Sequence, residues 1–227
     1  VILPDARGHG KSDSGRGDYS SQARVSDLDL LIQSLAIECP VIGGHSMGAD
    51  TCLHYAAAFP NRVRGIFLED PPIILPEELF EGNQRSHNPK SIGRMIAVMM
   101  LIFKLAPKFI GMRISRKMSP TYPDDEIIPW LDSKRRGSFD FLKSLPGLEL
   151  EPGQAIAAIK KIRLPVLLFT GDRQAGAIMS PAAAREVMRA NPGVHIVHLE
   201  GASHDIRRTR FDGYISNLRK FLSTLYS

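Results

Sequence analysis

Gly44-His45-Ser46-Met47-Gly48 is the stretch of this sequence that decides the fold. An apolar run, Pro40 to Gly43, precedes it, and a helix-forming run, Ala49 to Phe59, follows it. A G-x-S-x-G pattern between a strand and a helix is typical of a nucleophile elbow, a sharp turn that exposes a serine hydroxyl. The glycines on either side of Ser46 are expected to leave room for neighbouring backbone. The sequence therefore predicts a nucleophilic serine at a strand-to-helix turn.

Outside this turn, apolar runs of strand length alternate with runs of helical periodicity. The predicted helices and strands on both sides of the turn are Val1–Leu3 (strand), Ser20–Ile37 (helix), Val63–Leu68 (strand), Leu164–Thr170 (strand), Pro181–Ala190 (helix capped by Ser180), Val194–Leu199 (strand) and Ile206–Leu225 (helix). Alternation of strands and helices in this order is typical of a parallel sheet covered by helices. The sequence therefore predicts the α/β class.

The alternation of strand and helix patterns stops between residues 73 and 149, where no convincing strand pattern occurs. Helical stretches separated by prolines predict a helical insertion over the sheet. Its methionines Met95, Met99 and Met100 either line an adaptable apolar pocket or pack helix against helix. The predicted organisation is a first core segment over residues 1–72, a cap insertion over 73–150 and a second core segment over 151–227.

Composition indicates an ordinary globular protein of 227 residues, with 43% hydrophobic residues and a net charge of +5. The basic residues form only small local clusters, which we interpret as solvated surface, so neither nucleic acid nor a membrane is an expected partner. No metal-ligand spacing occurs, and neither a metal nor another cofactor is expected. The sequence leaves the oligomeric state open.

Cys39 and Cys52 have no redox-motif spacing, which favours reduced thiols in a reducing compartment. The sequence shows neither a signal peptide nor a membrane-spanning run, so we expect a cytoplasmic location. Because the chain begins inside the strand-like run Val1-Ile2-Leu3, we also expect that an N-terminal part is missing from it.

Three motifs together make the chain resemble the α/β-hydrolase superfamily. They are Asp5-Ala6-Arg7-Gly8-His9-Gly10-Lys11-Ser12, Gly44-His45-Ser46-Met47-Gly48 and Gly201-Ala202-Ser203-His204, in the order and spacing of that family. The resemblance implies an α/β-hydrolase fold, a mostly parallel sheet flanked by helices, with the elbow after the fifth strand and a helical cap at the insertion. On that mapping Val1–Leu3 is the fourth strand, and the first three strands are absent.

A serine hydroxyl needs a base to accept its proton. His204 is the candidate general base, because it lies in a glycine-led loop between the last strand and the last helix. A carboxylate must then orient the imidazole. In the family this acid usually stands three residues after the glycine that ends the seventh strand, and that position here is Gln174. Asp70, just beyond the sixth strand, matches an alternative placement in some relatives and is preferred over Asp172.

The resemblance assigns one oxyanion-hole donor, the backbone N–H of Met47, whereas the second usually comes from the loop after the third strand. A serine at the elbow implies acyl transfer through an acyl-enzyme. The sequence therefore predicts a serine hydrolase whose partner is a small, apolar carboxylic ester or lactone. The alternatives are an amidase or aminopeptidase, a perhydrolase, or a non-catalytic receptor or carrier with this fold.

Overall fold

The structure is a computed structural model that describes residues 1–14, 17–79, 89–120, 122–147 and 153–226. Its contacts divide the chain into two compact units. The helical unit comprises Val1–Arg24 and Leu79–Glu149, and the core unit comprises Val25–Glu78 and Leu150–Ser227. The domain boundaries at residues 72/73 and 150/151 stay a prediction, and the second of them lies outside the described residues.

The core unit contains a four-stranded parallel sheet, as the alternating pattern predicted. The strands are β1 Val41–His45, β2 Gly65–Glu69, β3 Val166–Thr170 and β4 Val194–His198, and they lie in the order β1-β2-β3-β4. The helices of the described chain are α1 Ser21–Ser34, α2 Met47–Ala58, α3 Pro89–Leu105, α4 Lys108–Met118, α5 Asp124–Arg135, α6 Phe139–Ser144, α7 Gln154–Lys161, α8 Pro181–Ala190, α9 Ile206–Thr209 and α10 Phe211–Leu225.

Helices cover both faces of this sheet, and β2 and β3 present apolar side chains to each of them. Ile66 and Leu68 point into one cluster, which contains buried residues of α1, α2, α7 and α8. Leu167 and Phe169 point into a second cluster with Ile206 of α9 and Tyr214 of α10. Alternate residues of a strand face opposite sides of a sheet. The core unit is therefore a sheet between two helical layers, the fold class that the sequence predicted.

Helix α8 begins where the sequence placed its start. The Ser180 hydroxyl oxygen accepts a hydrogen bond of 2.9 Å from the Ala183 backbone N–H, and Pro181 is the first helical residue. A serine cap satisfies one of the N–H groups that a helix leaves without an intrahelical acceptor. Proline at the first helical position loses no hydrogen bond, because an N–H there would have no intrahelical acceptor. The predicted N-terminal cap is confirmed.

The strand predicted at Val1–Leu3 is wrong. These three residues are exposed, have no regular secondary structure and take part in no strand pairing of the described chain. A strand forms only where a neighbour accepts and donates its backbone hydrogen bonds. An apolar run by itself does not supply that neighbour.

The single closing helix predicted over Ile206–Leu225 is also wrong, because the helix is interrupted at Arg210. This residue has φ −142° and ψ 53°, between α9 and α10. Its guanidinium donates hydrogen bonds to the carbonyl oxygens of Glu200 and Thr209. Phe211, the first residue of α10, is exposed, whereas Tyr214 is buried.

The helical unit shows helices without strands in its described residues 89–120 and 122–147. Phe103, Trp130 and Leu131 form its buried cluster, against which Met99 packs. Met95, in contrast, is exposed. No helix in the described part of the chain is long and apolar enough to cross a lipid bilayer.

Candidate active site

Ser46 forms the turn between β1 and α2 by itself. Its backbone has φ 53° and ψ −116°, a left-handed conformation that residues other than glycine rarely adopt. The Ser46 N–H donates a 2.9 Å hydrogen bond to the Glu69 carbonyl oxygen, and its own carbonyl accepts the Asp50 N–H at 3.0 Å. These bonds to β2 and α2 hold the strained residue in place. Such strain is found at functional sites.

The two glycines of the motif have different environments. A Cβ atom on Gly44 would lie 2.3 Å from the carbonyl carbon of Gly48, a backbone atom that cannot move aside. A Cβ on Gly48 would meet no described atom within 4 Å. The expectation that both glycines leave room for backbone is therefore correct for Gly44 and wrong for Gly48.

We expect Gly44→Ala to lower the free energy of unfolding by at least about 2 kcal/mol, because the methyl group overlaps the first turn of α2. Gly48→Ala is the matched control and should stabilise the protein by up to about 1 kcal/mol, since alanine is the better helix former. Urea unfolding followed by circular dichroism measures both. Equal losses of stability in the two variants would contradict this interpretation.

Asp70 lies directly after β2, in a second left-handed turn with φ 41°. It is fully buried, and its carboxylate accepts hydrogen bonds from the backbone N–H groups of Ile178 at 2.8 Å and Met179 at 3.0 Å. A buried carboxylate is costly unless its oxygens are hydrogen-bonded. The loop before α8 therefore fixes the position of this side chain.

His204 follows β4, and its imidazole meets Asp70. The Nδ1 atom lies 2.7 Å from the Asp70 Oδ2 atom. Because a carboxylate oxygen only accepts a hydrogen bond, Nδ1 carries the proton of the neutral ring. The lone pair of Nε2 is then free to accept a second proton. A base held in this tautomer by a buried carboxylate is the arrangement that serine hydrolases use.

Asp172, the alternative acid, has a different partner. Its Oδ1 atom lies 3.0 Å from Nε2 of His198, and its other oxygen accepts the Gly201 N–H. That backbone hydrogen bond holds the pKa of Asp172 below its usual value. The His198 Nδ1 atom lies 3.0 Å from the hydroxyl oxygen of Thr170. Asp172 thus orders the start of the loop that carries His204, without touching the His204 imidazole.

His45 connects the elbow to the His204 loop. The two imidazole rings lie 4.3 Å apart, and His45 Nε2 lies 3.0 Å from the His204 carbonyl oxygen. A carbonyl only accepts, so Nε2 carries a proton. Burial, reinforced by the nearby His204 ring, lowers the pKa of His45 to about 3. His45 is therefore neutral near pH 7 and serves as a hydrogen-bond donor.

An ion pair between the buried Glu69 and the partly exposed Arg207, which sequence reasoning missed, joins the same loops. The Glu69 carboxylate accepts hydrogen bonds from Nη1 of Arg207 at 2.8 Å and from its backbone N–H at 2.9 Å. Burial raises the pKa of Glu69, and the guanidinium opposes that shift. Glu69 therefore binds the Ser46 amide through its backbone and the helix after His204 through its side chain. No local pattern links positions 69 and 207.

Met47 is the first residue of α2, so its backbone N–H is one of the four that a helix leaves without an intrahelical acceptor. The positive end of the helix dipole reinforces this donor. Within the described ranges, no group of three His, Cys, Asp or Glu side chains is arranged to hold a metal ion. A serine hydroxyl, an imidazole held by a carboxylate and a helix N-terminal amide can support nucleophilic and acid–base chemistry.

Comparisons with known proteins concern the family and the fold of this chain. A family model described as "Alpha/beta hydrolase family" matches residues 1–212. The 2-(acetamidomethylene)succinate hydrolase of Mesorhizobium japonicum is 28% identical over 207 residues, which are 90% of this chain and 71% of that protein. The crystal structure of an E-2-(acetamidomethylene)succinate hydrolase superposes with a TM-score of 0.75 at 19% identity, over 96% of this chain and 80% of the other.

A further relative, an uncharacterized protein of Mycobacterium tuberculosis, is 41% identical over 68 residues, or 30% of this chain. That match spans only 20% of the mycobacterial protein. Other similar proteins are named as a deformylase and as lipases, so the characterised relatives are hydrolases. Three solved structures, at 19% to 21% identity, share the fold.

Proposed function

This chain belongs to the alpha/beta hydrolase family, and on that premise we propose that it is a serine hydrolase of small, apolar carboxylic esters or lactones. One observation carries the proposal: the 2.7 Å hydrogen bond between His204 and the buried Asp70, in the loop that packs on the elbow of Ser46. Ser46 is the nucleophile, His204 the general base and Asp70 the acid that orients it.

In this mechanism, Nε2 of His204 removes the Ser46 hydroxyl proton as Oγ attacks the carbonyl carbon of the substrate. Asp70 stabilises the imidazolium that forms. The Met47 N–H donates to the oxyanion, a contribution typically worth about 3 kcal/mol. His204 then gives the proton to the leaving alkoxide. Water attacks the acyl-enzyme in the same way and releases the carboxylic acid.

An amide is the second candidate substrate class. It is favoured by the Mesorhizobium relative, whose name contains an acetamido group. Amides use the same nucleophile and base, but their leaving nitrogen must be protonated before it departs. The ester remains the first candidate because an alkoxide leaves more readily.

Hydrolysis by the full chain of p-nitrophenyl butyrate, and of the matched anilide with the same acyl group, tests the proposal. We expect the ester to be cleaved at the higher kcat/KM, and a fluorophosphonate probe to label Ser46, because labelling requires an activated serine. Faster cleavage of the anilide would favour the amide class. Absence of both turnover and labelling would favour a ligand-binding protein without catalysis.

A further inference from the structure

Helix α3 is apolar on two opposite faces. Its inner face contributes Met100 and Phe103 to the interior of the helical unit. Its other face carries an outer stripe, each member of which is between 38% and 65% exposed: Met95, Val98, Leu101, Ile102 and Leu105. Spacings of three and four residues place these side chains in one row. A helix that is apolar all round is normally buried, so the outer stripe requires an explanation.

Helix α4 adds exposed apolar groups directly after the stripe. Phe109 is 75% exposed, and Ile110 is also exposed. Arg113 and Lys117 follow Phe109 by four and eight residues, so they share its helix face, and both are exposed. Single exposed apolar residues are common, but an exposed apolar row like the outer stripe, followed along the chain by Phe109 and Ile110, marks an interaction surface.

The chain segment that carries the outer stripe has charged residues of one sign only. Residues 89–123 contain seven Lys and Arg residues and no Asp or Glu. The Nζ atom of Lys104 is bound by the carbonyl oxygens of Arg135 and Gly137, and Lys108 lies 3.5 Å from Asp132 of α5. Arg94, at the beginning of the stripe, is exposed. The apolar row thus lies within a basic stretch, which suits an anionic partner.

This charge pattern argues against a second copy of the chain as the occupant. A two-fold interface brings the same surface of both subunits together, so the basic groups of the two copies would face each other. An anionic bilayer attracts juxtaposed Lys and Arg side chains and accepts apolar ones at its boundary. Of these two partners, only the bilayer complements both the apolar side chains and the basic side chains of the surface.

We propose that the outer stripe, together with Phe109, Arg113 and Lys117, docks the protein on the surface of an anionic phospholipid bilayer. The apolar side chains insert at the headgroup–acyl boundary, and Arg113 and Lys117 bind lipid phosphate and carboxylate groups. The helices lie on the membrane and do not cross it. This proposal departs from the expectation from sequence that no membrane is a partner, an expectation that rested on the distribution of charge and not on which apolar residues are exposed.

Co-sedimentation of the full chain with large unilamellar vesicles tests this proposal. We expect binding to phosphatidylcholine vesicles that contain phosphatidylserine, weaker binding at high salt, and little binding to pure phosphatidylcholine. The variant Val98→Glu/Leu105→Glu should bind at least about tenfold more weakly, as should Arg113→Glu/Lys117→Glu.

Leu30→Glu/Met188→Glu is the matched control, since it places the same charges at exposed apolar positions of α1 and α8. It should bind like the unaltered protein. Thermal unfolding should be the same for all these variants, because every substituted side chain is exposed. Absence of binding to phosphatidylserine vesicles at low salt would overturn the proposal. So would a dimer in solution that Val98→Glu/Leu105→Glu converts to monomer, which would assign the surface to a second copy.

Discussion

Ser46→Ala is expected to lower kcat for p-nitrophenyl butyrate by on the order of 10⁶-fold, the loss typical of removing a serine nucleophile. KM should change little, because the hydroxyl contributes to the transition state and hardly to ground-state binding. Labelling by a fluorophosphonate should disappear. Initial rates and gel fluorescence measure the two effects on the same preparation.

The matched control is Ser34→Ala, on the exposed end of α1, which should keep both turnover and labelling. The nucleophile variant should unfold at the same temperature as the unaltered protein, since alanine has the same backbone strain as serine at φ 53°. Adding His204→Ala to Ser46→Ala should cause little further loss, because the groups act as a unit. Turnover retained by Ser46→Ala would place the nucleophile elsewhere.

Asp70→Asn is expected to lower kcat by on the order of 10⁴-fold, because the amide no longer holds His204 in the tautomer that accepts the serine proton. In either orientation of the amide, its nitrogen would face a backbone donor, the N–H of Ile178 or that of Met179. Part of the effect is therefore on stability. Rates should be compared only at temperatures where circular dichroism shows both proteins to be folded.

Asp172→Asn distinguishes the two rival acids. Its carboxylate pairs with His198 and the Gly201 N–H, at a partly exposed position, so we expect a change in kcat of no more than a few fold. A large loss in this variant, with turnover retained by Asp70→Asn, would reverse the assignment. If both variants lose activity at unchanged stability, the loop that Asp172 orders also positions the base.

The family, the parallel sheet and the elbow could be predicted because each depends on residues that are close in the chain. A strand, one serine and a helix follow one another between positions 41 and 58. Apolar periodicity found the strands and most helices for the same reason. It failed at Val1–Leu3 and at Arg210, where backbone partners and not hydropathy decide the structure.

The sequence by itself determined the fold and proposed Ser46, His204 and two rival acids. Tertiary structure alone decided which acid meets the imidazole, since Asp70 and His204 are 134 positions apart. Both acids follow strand ends, and the sequence preferred Asp70 only because its position resembles the placement of the acid in some relatives. The pairing of β2 with β3 and the N–H groups of the loop before α8 place Asp70 against His204. Such distances depend on the register and packing of distant segments, and no short-range pattern encodes them.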